Sequence, residues 1–151
     1  MKSLNLISKL LMVYFIILLG GCASIAKAPA EMDQQAKQFR SNPNYSQVYL
    51  YRNETLGAAI SMPVTVDGQL AGNTGANSYF KFNLPAGSHT FTSQGDESVL
   101  TVNTEAGKLY FIWQEVKMGV LSAGSKLQLV SDTQGRNGVT ECTLIDSAVG
   151  K

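Results

Sequence analysis

The stretch Met62–Gly72 (MPVTVDGQLAG) constrains the fold of this chain most. Val64 and Val66 alternate, Asp67-Gly68 follows, and Leu70 opens a return segment. A two-residue Asp-Gly connection needs positive φ at both positions, which Gly adopts freely and Asp tolerates, so the stretch predicts a tight β-hairpin.

The same period of two recurs on both sides of it. Gln47–Asn53 (QVYLYRN) sets Val48, Leu50 and Arg52 against Tyr49 and Tyr51. Asn77–Leu84 (NSYFKFNL) sets Tyr79, Lys81 and Asn83 against Phe80, Phe82 and Leu84, and Pro85-Ala86-Gly87 then turns the chain. Ser88–Gln94 and Ser98–Thr104 read as two further strands. After an Ala106-Gly107 turn, Lys108–Val116 (KLYFIWQEV) is apolar on both faces. That pattern belongs to a central strand of a covered sheet. Lys126–Val130 alternates again, and Glu141–Ile145 (ECTLI) reads as a last short strand. Between them Asp132–Glu141 holds Gly135 and Gly138. Two glycines weaken a helix, leaving one short turn that Asp132 could cap.

Short strands separated by turns at regular spacing predict an antiparallel sandwich or small barrel. No helix-length periodic segment lies between the strands to build parallel crossovers. The expectation is an all-β fold, a small antiparallel β-sandwich over residues 46–146 with a short tail at 147–151. Composition agrees: 14 glycines in 151 residues and 15% charged residues, below the roughly 25% of an average soluble domain.

The first 21 residues read as a leader. Lys2 and Lys9 are its charges, and Leu10–Leu19 (LLMVYFIILL) is an unbroken apolar run. Such a run spans about 15 Å as a helix. That is too short for a bilayer core of about 30 Å, but it fits the apolar region of a signal peptide. Leu19-Gly20-Gly21-Cys22 then resembles the lipobox of bacterial lipoproteins. The resemblance implies cleavage between Gly21 and Cys22, a diacylglycerol thioether on the Cys22 sulfur, and usually an acylated amine. Cys22 thereby places the mature chain on a membrane, since each buried CH₂ contributes about 0.8 kcal/mol. Ala23 and Ser24 follow, without the Asp that usually retains such proteins at the inner membrane. The expected location is therefore the outer membrane, with the domain facing the periplasm. Residues 22–45 read as a flexible tether limited by Pro29 and Pro43. Glu31–Phe39 could form a short helix with Met32, Ala36 and Phe39 on one side. The segment either holds the domain off the membrane or docks Phe39 as a lid over a sheet edge.

A second resemblance covers residues 45–146. It is carried by Tyr49, Tyr51 and Arg52 at the end of the first strand, Val66-Asp67-Gly68, Tyr79, Pro85-x-Gly87-x-His89, and Ala106-Gly107-Lys108-x-Tyr110. In that order these residues resemble the DUF2846 family of small bacterial lipoproteins of uncharacterised function. The middle is also similar to PEGA-type surface-associated β modules. Neither resemblance implies a catalytic residue or a ligand.

Charge excludes one class of partner. Lys and Arg number 12 and Asp and Glu 11; the leader holds two of the former and none of the latter, leaving one excess acidic charge. A nucleic-acid surface needs clustered cations, so no nucleic acid is expected. His89, the single histidine, lacks a nucleophile motif around it and reads as a structural hydrogen-bonding group. With one His and one remaining Cys, neither a metal site nor a cofactor is expected. Cys142 shares a face with Leu144 and reads as buried. Asp96-Glu97 reads as a solvated turn. Tyr49, Tyr51, Tyr79, Tyr110 and Trp113 form either core or a candidate binding face for an envelope protein or cell-wall glycan. Two functions remain: a non-catalytic binding or scaffold module held to the membrane through Cys22, or a cell-wall hydrolase working through His89 or Asp96-Glu97.

Overall fold

A computed structural model of the chain describes residues 25–119 and 122–150. The leader, Gly21 and Cys22 lie outside the described residues. In chain order the elements are α1 (Ala30–Ala36), β1 (Ser46–Arg52), β2 (Met62–Val66), β3 (Gln69–Thr74), β4 (Ser78–Leu84), β5 (Gly87–Thr92), β6 (Val99–Thr104), β7 (Leu109–Met118), β8 (Ala123–Val130), α2 (Asp132–Thr140) and β9 (Thr143–Leu144). The strands form two sheets, ordered β8-β7-β1-β4-β9 and β3-β2-β5-β6, so the chain is a β-sandwich.

The hairpin is present where the sequence puts it. Asp67 and Gly68 take φ of 51° and 79°, and Val66 faces Gln69 across the turn. The apolar sides of β1 and β4 meet the second sheet in one core that includes Val48, Leu50, Phe80, Phe82, Phe91 and Ile112. The sheets are rich in antiparallel pairs, but β1 pairs with β7, and β4 with β9, in parallel. The absence of crossover helices between strands did not forbid this. The chain reaches β7 from β1 by building the whole second sheet on the way, which does the geometric work of a crossover.

The outer face of the five-stranded sheet is also buried. Every residue of β1 is buried. A second core gathers Ala36, Tyr49, Tyr51, Tyr79, Phe111, Val139, Cys142 and Leu144 beneath the two helices. For residues 25–45 this corrects the spacer reading in favour of the docked one. From Ile25 on, the segment is part of the body: Lys27 bridges to Ile145, and α1 covers the sheet. Phe39 does dock, over the sheet's face rather than its edge, with its ring centroid 5.4 Å from Tyr49 and 5.8 Å from Phe111. Met32 points to solvent, 51% exposed; the α1 residues that reach the sheet are Ala36, as expected, and Asp33. The expected C-terminal tail is likewise bound, since Ala148 N–H donates to Ala71 O and Gly150 O accepts from Asn83 N–H.

The second correction concerns residues 132–140, which form a helix of nine residues capped by Ser131 rather than Asp132. Gly135 and Gly138 reduce its propensity but allow its position. A Cβ at Gly135 would overlap the Phe111 ring, and one at Gly138 the Tyr51 ring. The glycines therefore let the helix backbone lie directly on aromatic rings. Gly138→Ala should lower stability by about 1–3 kcal/mol despite its gain in helix propensity, because the overlap forces the helix off Tyr51. Urea denaturation checks this, and a midpoint equal to or above wild type would refute it.

Candidate functional site

The aromatic group expected as a candidate binding face is mostly interior. Tyr49, Tyr51 and Tyr79 are at most 2% exposed. The Tyr49 hydroxyl donates to Ala36 O at 2.9 Å, and the Tyr79 hydroxyl to Asp33 Oδ1 at 2.9 Å. Burial raises the pKa of both phenols, so each stays a donor. Tyr110 lies on the opposite face of β7, against the inter-sheet core, and its hydroxyl accepts from Glu105 N–H. The rings were gathered by the need to cover a sheet, which outweighs their use as a surface.

Asp33 holds that cover in place. Its carboxylate accepts from the Tyr79 hydroxyl, from Leu144 N–H at 2.8 Å and from Lys37 Nζ at 2.8 Å. Lys37 Nζ also donates to Cys142 O at 2.6 Å. Burial works to raise the Asp33 pKa, but these donors outweigh it and lower it. Sequence reading missed this residue because an Asp in a presumed tether looks solvated; its place at i and i+4 with Lys37 was the available signal.

Trp113 keeps an opening, while Tyr51, covered by Gly138, only borders it. Tyr51 and the half-buried Trp113 face each other in register across β1 and β7. They line a groove of about 480 Å³ between the sheet and α2, together with Asn53, Gln134, Asn137 and Glu141. Asn53 Nδ2 donates to Glu141 Oε2 at 2.7 Å, fixing one wall. Burial pushes the Tyr51 phenol up to about 12, so it too remains protonated. A flat, half-open indole ring flanked by amides and a carboxylate suits a ligand with apolar faces and many hydroxyls. The sequence showed the two rings but not the polar wall, because residues 131–141 did not read as a helix.

The other candidates have structural partners. His89 Nε2 donates to Pro85 O at 2.9 Å, and His89 Nδ1 meets Asp67 Oδ2 at 2.6 Å. Asp67 Oδ1 also accepts from Thr90 N–H at 2.8 Å. Asp67 thus does more than shape its turn: it ties the β2–β3 hairpin to β5. Asp96 and Glu97 line a different cleft, beside Lys117 and Met118, and His89 is not part of it. Arg52 is fully buried and donates to three carbonyls, Ile60 O at 2.7 Å, Leu56 O at 3.2 Å and Gly57 O at 2.8 Å, which clamps loop 53–61. Cys142 is 3% exposed, with Sγ donating to Arg52 O at 3.4 Å.

The family described as "Protein of unknown function (DUF2846)" matches residues 42–125. An uncharacterized protein of Haemophilus influenzae (strain ATCC 51907 / DSM 11121 / KW20 / Rd) is 32% identical over 131 residues, spanning 85% of this chain and 78% of the relative. The chain belongs to the DUF2846 family. No solved structure matches it.

The His89–Asp67 pair gives stability a pH dependence. Burial opposes charging of His89, but Asp67 and the Pro85 carbonyl outweigh it, so its pKa is raised above 6.5. Burial also opposes charging of Asp67, yet its bonds to His89 and Thr90 N–H lower its pKa below 3.8. The His89 contribution is complete below the unfolded histidine pKa and is lost as pH rises through the folded value. The Asp67 contribution is present above the unfolded carboxylate pKa and is lost as pH falls through the folded value. The pair therefore stabilises most between about pH 4 and pH 6.5. Wild type should exceed Asp67→Asn by about 1 kcal/mol at pH 5.5, discounted for the exposed carboxylate, with a gap at least halved near pH 8.5. An equal gap at both pH values would refute the charge pairing.

Burial raises the Cys142 thiol to about 12, so little thiolate forms at neutral pH. Maleimide labelling of the folded protein should proceed at the rate of global opening and accelerate on denaturation; fast labelling under native conditions would show that the thiol is open.

Proposed function

We propose that this protein is an outer-membrane lipoprotein, anchored through acyl chains on Cys22, whose periplasmic β-sandwich is a non-catalytic binding module for cell-wall glycan. The anchor and location rest on the signal-peptide pattern and Leu19-Gly20-Gly21-Cys22. Among the described residues no helix is long and apolar enough to cross a membrane.

The observation that carries the binding role is the groove of Tyr51 and Trp113 walled by Asn53, Gln134, Asn137 and Glu141. The open part of the Trp113 ring takes the apolar face of a sugar, and the amides and carboxylate of the wall take its hydroxyls. His89, the residue of the hydrolase reading, is bonded to Asp67 and Pro85 O, away from this groove and from Asp96-Glu97.

The chain has a single tryptophan, so its fluorescence reports on this groove directly. Soluble glycan chains released from peptidoglycan should shift the Trp113 emission saturably. Asn137→Ala should weaken that binding about tenfold, equivalent to 1.4 kcal/mol. An emission unchanged by glycan, or an affinity unchanged in the variant, would remove the glycan reading.

A further inference from the structure

One end of the sandwich combines the exit of the N-terminal chain with exposed apolar loops. β1 and β7 both finish there, since they run in parallel. Arg52 at the end of β1 faces Ser78 at the start of β4, so the turn before β4 lies at the same end. Glu54 in the β1–β2 loop accepts from Val116 N–H on β7 at 2.7 Å. Ile25, the first described residue, packs its side chain against Gly75 in the turn before β4. The chain toward Cys22 therefore leaves from this end.

At this end Leu56 is 58% exposed and Met118 59% exposed, with Ala58 and Ala59 also exposed beside Leu56. Leu56 is displayed by construction: the buried Arg52 guanidinium holds its carbonyl and that of Gly57, fixing the loop backbone while the side chain faces outward. The opposite end carries the Asp67-Gly68, Pro85–Gly87 and Glu105–Lys108 connections, with Leu70, 57% exposed, beside the first of them.

Only three residue steps separate Cys22 from Ile25. At about 3.6 Å per extended residue, they reach no more than roughly 11 Å. Acyl chains hold Cys22 at the edge of the hydrocarbon layer, and the headgroup layer above it is about 5–8 Å deep. Ile25 then sits at or just above the headgroups, and the body has no spacer to stand off on.

We propose that this end of the domain rests on the phospholipid surface, with Leu56 and Met118 entering the headgroup layer and fixing the orientation of the sandwich. The inference rests on the acylation of Cys22 set out above. Charge does not drive the contact: Glu54, Asp96 and Glu97 accompany Lys117 at this end, so apolar insertion is the attraction. The sandwich stands with its strands rising from the membrane, and the His89–Asp67 end faces away from it.

Site-specific photocrosslinking in the full-length protein tests this. Benzoylphenylalanine is placed at position 56, 118 or, as the distal control, 86, and envelopes are irradiated in their native state. The mass of the processed protein reports acylation in the same samples. Lipid adducts at 56 and 118 should exceed those at 86 at least about fivefold on an acylated protein. Equal adducts at all three positions on an acylated protein would overturn the orientation and leave the anchor standing. An unacylated Cys22 would overturn both.

Discussion

The rest of the structure depends on one constraint: the central strands β1 and β7 are apolar on both faces, so the five-stranded sheet needs two covers. The second sheet supplies one. The other is assembled from pieces that are polar in sequence: a seven-residue helix, a glycine-containing helix and the short β9. These pieces bury little apolar area of their own. Aromatic rings on the sheet provide most of it, with Tyr49 stacked on Phe111 at 5.2 Å and Arg136 lying 4.8 Å above Phe39. The helices are held by polar fasteners, of which Asp33 is the main one, linking three donors from separate parts of the chain.

How much of this was legible follows from the type of signal involved. Strands declare themselves through alternation, and β1, β4 and β7 fall where Val48/Leu50, Phe80/Phe82 and Phe111/Trp113 indicate. The Asp67-Gly68 turn declares itself through backbone chemistry. The cover did not. Residues 25–45 lack a continuous apolar stripe because α1 needs only Ala36 and the Asp33 carboxylate to dock. Gly135 and Gly138 look like helix breakers in one dimension and become contact points in three. The candidate site divides the same way: Tyr51 and Trp113 were visible as aromatic residues, while Asn137 and Glu141 acquire meaning only once α2 exists.

The polar groups show an economy of use. Buried Arg52 holds a loop through three carbonyls, His89 bridges a carboxylate and a carbonyl, and Gln114 joins Thr74 and Ser93 inside the core. His89 and Gln114 satisfy the rule that a buried donor needs an acceptor, and Arg52 satisfies it through its two terminal nitrogens but not through Nε. The groove over Trp113 stands apart, because Gln134 and Asn137 line open space beside the bonded Asn53–Glu141 pair.

The parallel pairing of β1 with β7 has a consequence for how the chain assembles. Leu50 meets Ile112 across that ladder, so the first strand acquires its second neighbour only after the intervening hairpins exist. Contacts between residues so far apart in sequence require closing a large loop before they return any energy, and chains rich in them fold in milliseconds to seconds rather than microseconds. A partly synthesised chain ending before residue 109 would present β1 with one open edge, a template for unwanted strand addition until the C-terminal third arrives.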